Sequence, residues 1–187
     1  MLRTLPQTEN TQFAARLFGI GIFTLLTIAS AQLRVEFGGA VPFTMQVLVI
    51  LLAGLVLGAR DGAASQVAYL ALIAANLPVD TRMLGLAAFA GPTAGFLVGF
   101  PLTAFVAGWL AERGANKLVL RWLAGLVAVA TLYLFGASWL LAATGMDVQT
   151  AWANAVAPFI LLDAIKAVIA AALAEGGRAA LVRLTRQ

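Results

Sequence analysis

Asp163 and Lys166 are the residues whose types and spacing ask for chemistry, because both fall inside Asn154 to Ala174, a stretch apolar enough to read as a membrane-spanning helix. A full charge near a bilayer centre costs at least about 2.5–3.5 kcal/mol on insertion scales, so such residues face a partner, a cavity or a ligand. Three residues apart, the two side chains leave one helix face. A carboxylate only accepts hydrogen bonds and an ammonium only donates them, so the pair suits a urea, amide or zwitterionic group. The competing reading is a neutralised pair that merely fixes helix packing, and the default for intramembrane ionisable residues favours function. The same face carries Phe159, Ala167, Ala170 and Ala174. One bulky ring therefore lies on the outer side, with small residues below it where neighbouring helices can come close.

Other candidates are weaker one by one. Asn76, at the end of the third apolar run, offers two donors and two acceptors, and is equally suited to a helix C-terminus. Arg82 is a candidate carboxylate clamp, since a guanidinium pairs with a carboxylate through two hydrogen bonds; a loop charge paired with Asp80 is the bland alternative. Phe43, Thr44, Gln46 and Tyr69 are polar or aromatic residues of the second and third runs, of the kind that line a small-ligand pocket. Small residues recur at helical spacing in Ala15 with Gly19, Ala64 with Ala68 and Ala71 with Ala75. Internal packing is the common use of such pairs, and docking of another membrane subunit is the sharper one.

Several function classes are excluded. With 187 residues, 62% hydrophobic and 11% charged, and a mean hydropathy of +0.96, the chain reads as one integral membrane domain spanning 1–187. It has no cysteine and no histidine, which removes disulfides, thiol nucleophiles and the usual metal ligand sets. Ser30, Ser65 and Ser138 therefore have no histidine base, and no GxxxxGK[ST] loop surrounds Lys117 or Lys166. The chain is expected to be neither an enzyme nor a holder of a cofactor. Its net charge of +4 is dispersed among apolar segments without stacking aromatics, so nucleic acid is not an expected partner. No internal repeat is evident, which counts weakly against a two-halved secondary transporter.

The elements that must position the pair are helical, giving an all-α protein with spans at about 17–33, 42–57, 62–76, 92–110, 122–142 and 154–174. Ala29-Ser30-Ala31 has the small-x-small look of a signal cleavage site, but the following spans favour retention. Pro42 and Pro92 stand at helix starts, where a missing N–H costs nothing. Pro101 removes a helical hydrogen bond and predicts a kink. The turn Gly58 to Gly62 separates two spans shorter than the usual ~20 residues, tolerable where protein or a cavity shields them. Val79 to Gly91 is a long connection of the kind that forms lids, and Ala143 to Ala153 reads as a polar loop. Counting Lys and Arg, one face takes Arg3, Arg16, Arg60, Arg113, Lys117, Arg121, Arg178, Arg183 and Arg186; the other takes Arg34 and Arg82. Nine against two predicts both termini cytoplasmic, with Trp109 and Trp122 at the inner interface and Trp139 and Trp152 at the outer one. Asp163 then lies about 13 Å below a helix start at Asn154, or about 8 Å below one at Pro158, opening outward.

Taken together, Val41-Pro42-Phe43-Thr44-Met45-Gln46, Leu52-Ala53-Gly54, Leu57-Gly58-Ala59-Arg60-Asp61-Gly62, Tyr69-Leu70, Leu77-Pro78-Val79, Gly91-Pro92-Thr93-Ala94-Gly95-Phe96-Leu97-Val98-Gly99-Phe100 and Leu162-Asp163-Ala164-Ile165-Lys166 resemble, in order, the BioY family. These are the biotin-binding S components of energy-coupling factor (ECF) transporters, and the resemblance runs from about 17 to 174. It implies a six-helix S-component fold in a bacterial cell membrane that captures biotin from the outer face. Its implied partners are a transmembrane coupling subunit and two cytoplasmic ATPases. In family terms Asp163 and Lys166 would hold the ureido ring with Asn76 assisting, Arg82 would meet the valerate carboxylate, and Ala15, Gly19, Ala64 and Ala68 would lie where the coupling subunit docks. The sequence departs from the family at Asp80-Thr81-Arg82 and at Phe96, where tyrosine is common. An S component for a different vitamin, and a membrane scaffold whose small-residue faces serve assembly, are the alternative readings.

Overall fold

The computed structural model describes residues 9–36, 38–114 and 117–184; of residues 9–11 and 178–184 the backbone alone is described. The chain is mostly helical. The elements are α1 (Glu9–Gln32), a two-stranded hairpin of β1 (Arg34–Val35) and β2 (Phe43–Thr44), α2 (Gln46–Leu57), α3 (Ala59–Ala74), a 3-10 helix (Gly85–Ala90), α4 (Ala94–Glu112), α5 (Leu118–Thr144), α6 (Val148–Ala155) and α7 (Ile160–Leu184). In the antiparallel hairpin Arg34 faces Thr44 and Val35 faces Phe43. α4 packs against α5, α3 and α2, α1 against α3 and α2, and α7 against α2 and α5.

Three helical stretches, Gln12–Gln32, Ala94–Glu112 and Leu118–Thr144, are long and apolar enough to cross a membrane, and the bent pair of α6 and α7 makes a fourth if taken as one span. α2 is apolar but has 12 residues, about 18 Å of helix, and α3 has 16. Large apolar side chains cover the outside, among them Phe18, Leu25, Leu134 and Leu161, which is the surface of a protein solvated by lipid. The basic residues sort by end. Arg16, Arg60, Arg113, Lys117 and Arg121 sit where α1 and α3 begin and α4 ends, while Arg34 and Arg82 sit at the opposite end. Arg3 and Arg186 lie outside the described residues.

The end carrying those basic residues is a joint of small residues. The expected five-residue turn contracts to Gly58 alone, at φ +88°, and Arg60 to Gly62 already belong to α3. Asp61 suits the positive end of that helix and receives two hydrogen bonds from Arg16, at 2.7 and 2.9 Å, tying α1 to α3. The Ala59 N–H donates to Glu112 Oε1 at 2.9 Å, tying α3 to the end of α4. A Cβ on Gly54 would overlap the Ala104 carbonyl oxygen, so α2 and α4 touch through their backbones. Higher up, α1 is joined to α3 by buried polar groups: Thr24 Oγ1 donates to Ser65 O at 2.9 Å and Gln66 Nε2 to Thr27 Oγ1 at 3.2 Å. Ser30 and Ala31, in the stretch resembling a cleavage site, are buried in α1.

Two expectations at the opposite end are corrected. The stretch read as a polar loop contains α6, whose N-cap Asp147 accepts from Thr150 N–H and Oγ1 at 2.9 and 2.7 Å. Those bonds hold the Asp147 carboxyl below its ordinary value. Asn154 therefore belongs to α6. The chain breaks at 156–159 with a 44° bend, because the residue before Pro158 is biased out of the helical region. α7 starts at Ile160 and Asp163 lies in its first turn, about 5 Å from the helix start rather than 8 or 13 Å. α4 runs from Ala94 to Glu112 with Pro101 inside it.

Candidate ligand site

A cavity open to solvent, with about 850 Å³ of empty space when the solvent at its mouth is included, occupies the hairpin end of the bundle. Its lining comes from β2, α2, α4, α5, α7 and the connection between α3 and α4.

Asp163 and Lys166 lie at its polar side, 2% and 4% exposed. Lys166 Nζ donates to Asp163 Oδ1 and to the Thr44 carbonyl oxygen, each at 2.7 Å. Tyr133 of α5 donates its hydroxyl to Asp163 Oδ2 at 2.7 Å. The Phe43 ring centroid lies 3.9 Å from Lys166 Nζ, close enough for the ring face to attract the ammonium. Each carboxylate oxygen thus has one protein donor and keeps acceptor capacity for another. The carboxylate at the start of α7 also meets the positive end of the helix dipole. Burial of two charges is tolerable here because they are paired and hydrogen-bonded.

The remaining walls are apolar: Phe43, Phe96, Phe100 and Phe159 line the cavity together with aliphatic side chains such as Val47, Leu97 and Leu132. Phe96 is seated against Gly136, where a Cβ would overlap its ring, so the glycine of α5 sets how far that ring stands back. Ala167, Ala170 and Ala174 continue the face of α7 below Asp163 and are buried with Phe159, as the sequence spacing predicts. Ala167 meets Gly125 of α5 closely, at 3.1 Å from the position of a Cβ on the glycine.

The mouth is cross-tied. Asp80, 3% exposed, accepts from the Arg82 N–H at 3.0 Å and the Gly85 N–H at 2.8 Å, which shapes the loop after α3. Thr81 Oγ1 donates to Gln46 Oε1 at 3.0 Å, and Gln46 Nε2 donates to the Tyr69 hydroxyl at 3.1 Å. The hydroxyl in turn donates to Val79 O at 3.4 Å. Arg34 Nη1 donates to Thr81 O, binding the hairpin to the same loop. Arg82 lines the cavity and reaches Ala40 O at 3.4 Å and Glu36 Oε2 at 3.9 Å.

The expected site residues separate into four groups. Asp163, Lys166, Phe43, Thr44, Gln46 and Arg82 converge on the cavity. Tyr69 is fully buried outside the lining, stacked on Phe100 with ring centroids 6.3 Å apart, and is hydrogen-bonded to Gln46. Asn76 stands apart from the lining: it is exposed, at φ +63°, and its Oδ1 accepts from the Leu86 N–H at 3.2 Å. That geometry is a helix-terminus and loop role. Ala15, Gly19, Ala64 and Ala68 are half-buried on α1 and α3, and a Cβ on Gly19 would press on Leu57 Cδ2 at 2.9 Å. Tyr133, Phe96, Phe100 and Phe159 are lining residues that sequence reasoning did not place in a site. The signal available for Tyr133 was a phenolic hydroxyl within a largely apolar span, where polar groups need partners.

The BioY family model matches residues 6–183. A biotin transporter BioY from Rhizobium etli is 44% identical over 151 residues, covering 76% of this chain and 79% of that protein. A probable biotin transporter BioY from Pyrococcus horikoshii is 38% identical over 157 residues, covering 83% and 91%. The solved structure of the S-component for biotin from an ECF-type ABC transporter superposes with a TM-score of 0.83 at 26% identity, covering 97% of this chain and 96% of that one. Helical architecture, family model and relatives agree over nearly the whole length, and the chain belongs to the BioY family.

Proposed function

We propose that this chain is the membrane substrate-binding subunit that captures biotin for uptake, and that Asp163 and Lys166 hold its ureido ring. The observation that carries the site is the buried pair with both acceptor and donor facing one cavity, braced by Tyr133 and the Thr44 carbonyl. A ureido group has two N–H donors and one carbonyl acceptor: the N–H groups donate to Asp163 and the carbonyl accepts from Lys166. The rings of Phe43, Phe96, Phe100 and Phe159 give an apolar enclosure for the bicyclic body. The valerate chain runs towards the mouth, where Arg82 is the cation that meets its carboxylate.

The same reading makes the bundle a six-span protein of the cell membrane with both termini cytoplasmic and the cavity opening outward. The sorting of basic residues supports it: five of the described ones lie at the end away from the cavity, and two lie at its mouth. The short α2 and α3 are shielded by α1, α4 and α7, which is the condition for spans below full length. A transmembrane coupling subunit and cytoplasmic ATPases supply the energy, with the exposed side of the small-residue faces of α1 and α3 as the docking surface. The chain itself is a binding and transport subunit, not an enzyme.

The test is equilibrium binding of labelled biotin to the purified protein in detergent, challenged with unlabelled biotin, thiamine and riboflavin. Displacement by biotin alone is expected. Displacement by thiamine or riboflavin but not by biotin would reassign the ligand to another vitamin.

A further inference from the structure

We propose that Glu36 is an internal competitor for the ligand's carboxylate: it engages the Arg82 guanidinium in the free protein and thereby sets how strongly the site prefers carboxylate-bearing ligands. The inference rests on Arg82 being the carboxylate partner in the proposed function. Arg82 is fixed at its root and loose at its head. Its N–H is held by the buried Asp80 carboxylate at 3.0 Å, whereas its side chain spans the mouth and is 36% exposed. Both contacts of the head are long and made by Nη2, at 3.4 Å to Ala40 O and 3.9 Å to Glu36 Oε2. The guanidinium has five donors in a fork that fits a carboxylate with two parallel bonds. The present contacts leave that fork largely unspent.

The charges around the cavity explain why Glu36 matters. Asp163 and Lys166 neutralise each other at 2.7 Å, and Asp80 is engaged by two backbone N–H groups. Arg82 is then the lining cation at the mouth without a carboxylate in hydrogen-bond contact. Glu36 lies between β1 and β2, on the loop facing Arg82, with a side chain 48% exposed. An arriving carboxylate must displace Glu36 from the guanidinium and then sit beside a like charge. A ligand with an esterified tail meets neither cost.

Biotin and biotin methyl ester binding is to be measured on the wild type, Glu36→Gln and Arg82→Gln. Glu36→Gln is expected to bind biotin about two- to fivefold more tightly, the range of an exposed ion pair, and to leave the ester unchanged. The gain is expected to shrink as salt is raised, since exposed charges are screened. Biotin bound no more tightly by Glu36→Gln, or an equal gain for the ester, overturns the proposal. Arg82→Gln separates the two levels. If it narrows the biotin-to-ester preference while Glu36→Gln does nothing, only the role of Glu36 fails. If Arg82→Gln leaves the preference intact, the carboxylate assignment fails and the role of Glu36 fails with it.

Discussion

The two ends of the bundle are made from opposite materials. At the joint of α2, α3 and α4 the contacts are backbone to backbone, with Gly54 against Ala104 and Gly108 against Gly58 and Ala59. At the hairpin end α2 and α4 instead line a cavity, with Phe43, Phe96, Phe100 and Phe159 standing around it. Small residues let helix axes approach until dispersion between backbones holds them. Bulky rings prevent that approach, and polar groups among them give the space its chemistry. The cavity lies where α2 and α4 present Gln46, Val47, Phe96, Leu97 and Phe100 to a common space instead of small residues to each other.

Breaking the joint should have the largest effect. Gly54→Val places branched carbons against the Ala104 carbonyl, a backbone atom that cannot turn aside; overpacking costs about 1–3 kcal/mol where side chains can yield and more here. We expect little folded protein by size-exclusion chromatography, and a lowered melting temperature for whatever folds. A normally folded, normally melting variant would show that the two ends are not mechanically distinct. At the cavity end, Tyr133→Phe removes the 2.7 Å donation to Asp163 while keeping the ring. A hydrogen bond to a charged group contributes about 1.5–3 kcal/mol to stability, so the variant should melt several degrees lower, and biotin affinity should fall about tenfold because Asp163 is no longer held in place. Unchanged affinity would make the tyrosine wall rather than site. The smallest effect is expected at Asn76, where glycine adopts the positive φ without penalty. Asn76→Gly should leave biotin affinity within about twofold in a titration; a large loss would extend the site beyond the cavity lining.

Much of the cavity end was legible because membrane burial is a harsh filter. Asp163 and Lys166 stood out as charges in an apolar run, and the face formed by Phe159, Ala167, Ala170 and Ala174 followed from helical spacing alone; all six are buried. Helix ends were less legible. The spacing of apolar residues does not distinguish a polar loop from the short α6, nor does it say that Pro158 lies in a break instead of a first turn. The α2–α3 turn was read too long because Arg60 and Asp61 look like loop residues, whereas Asp61 is paired with Arg16 from a distant helix. Asn76 had the composition of a binding group, but its position in the loop was decided by a hydrogen bond to Leu86. Tyr133 was not singled out for the opposite reason: one hydroxyl beside those of Thr131, Ser138 and Thr144 in a long apolar helix gains meaning only when α7 brings Asp163 near it.

The most direct test of the central claim is a binding titration of labelled biotin with the wild type and Lys166→Ala, both shown to be folded. Losing one partner of a buried pair leaves the other charge uncompensated, a cost of about 3–5 kcal/mol, and it also removes the donor to the ureido carbonyl. The account predicts saturable binding by the wild type and affinity lowered at least about a hundredfold in the variant. A folded Lys166→Ala protein that binds biotin as the wild type does would contradict it.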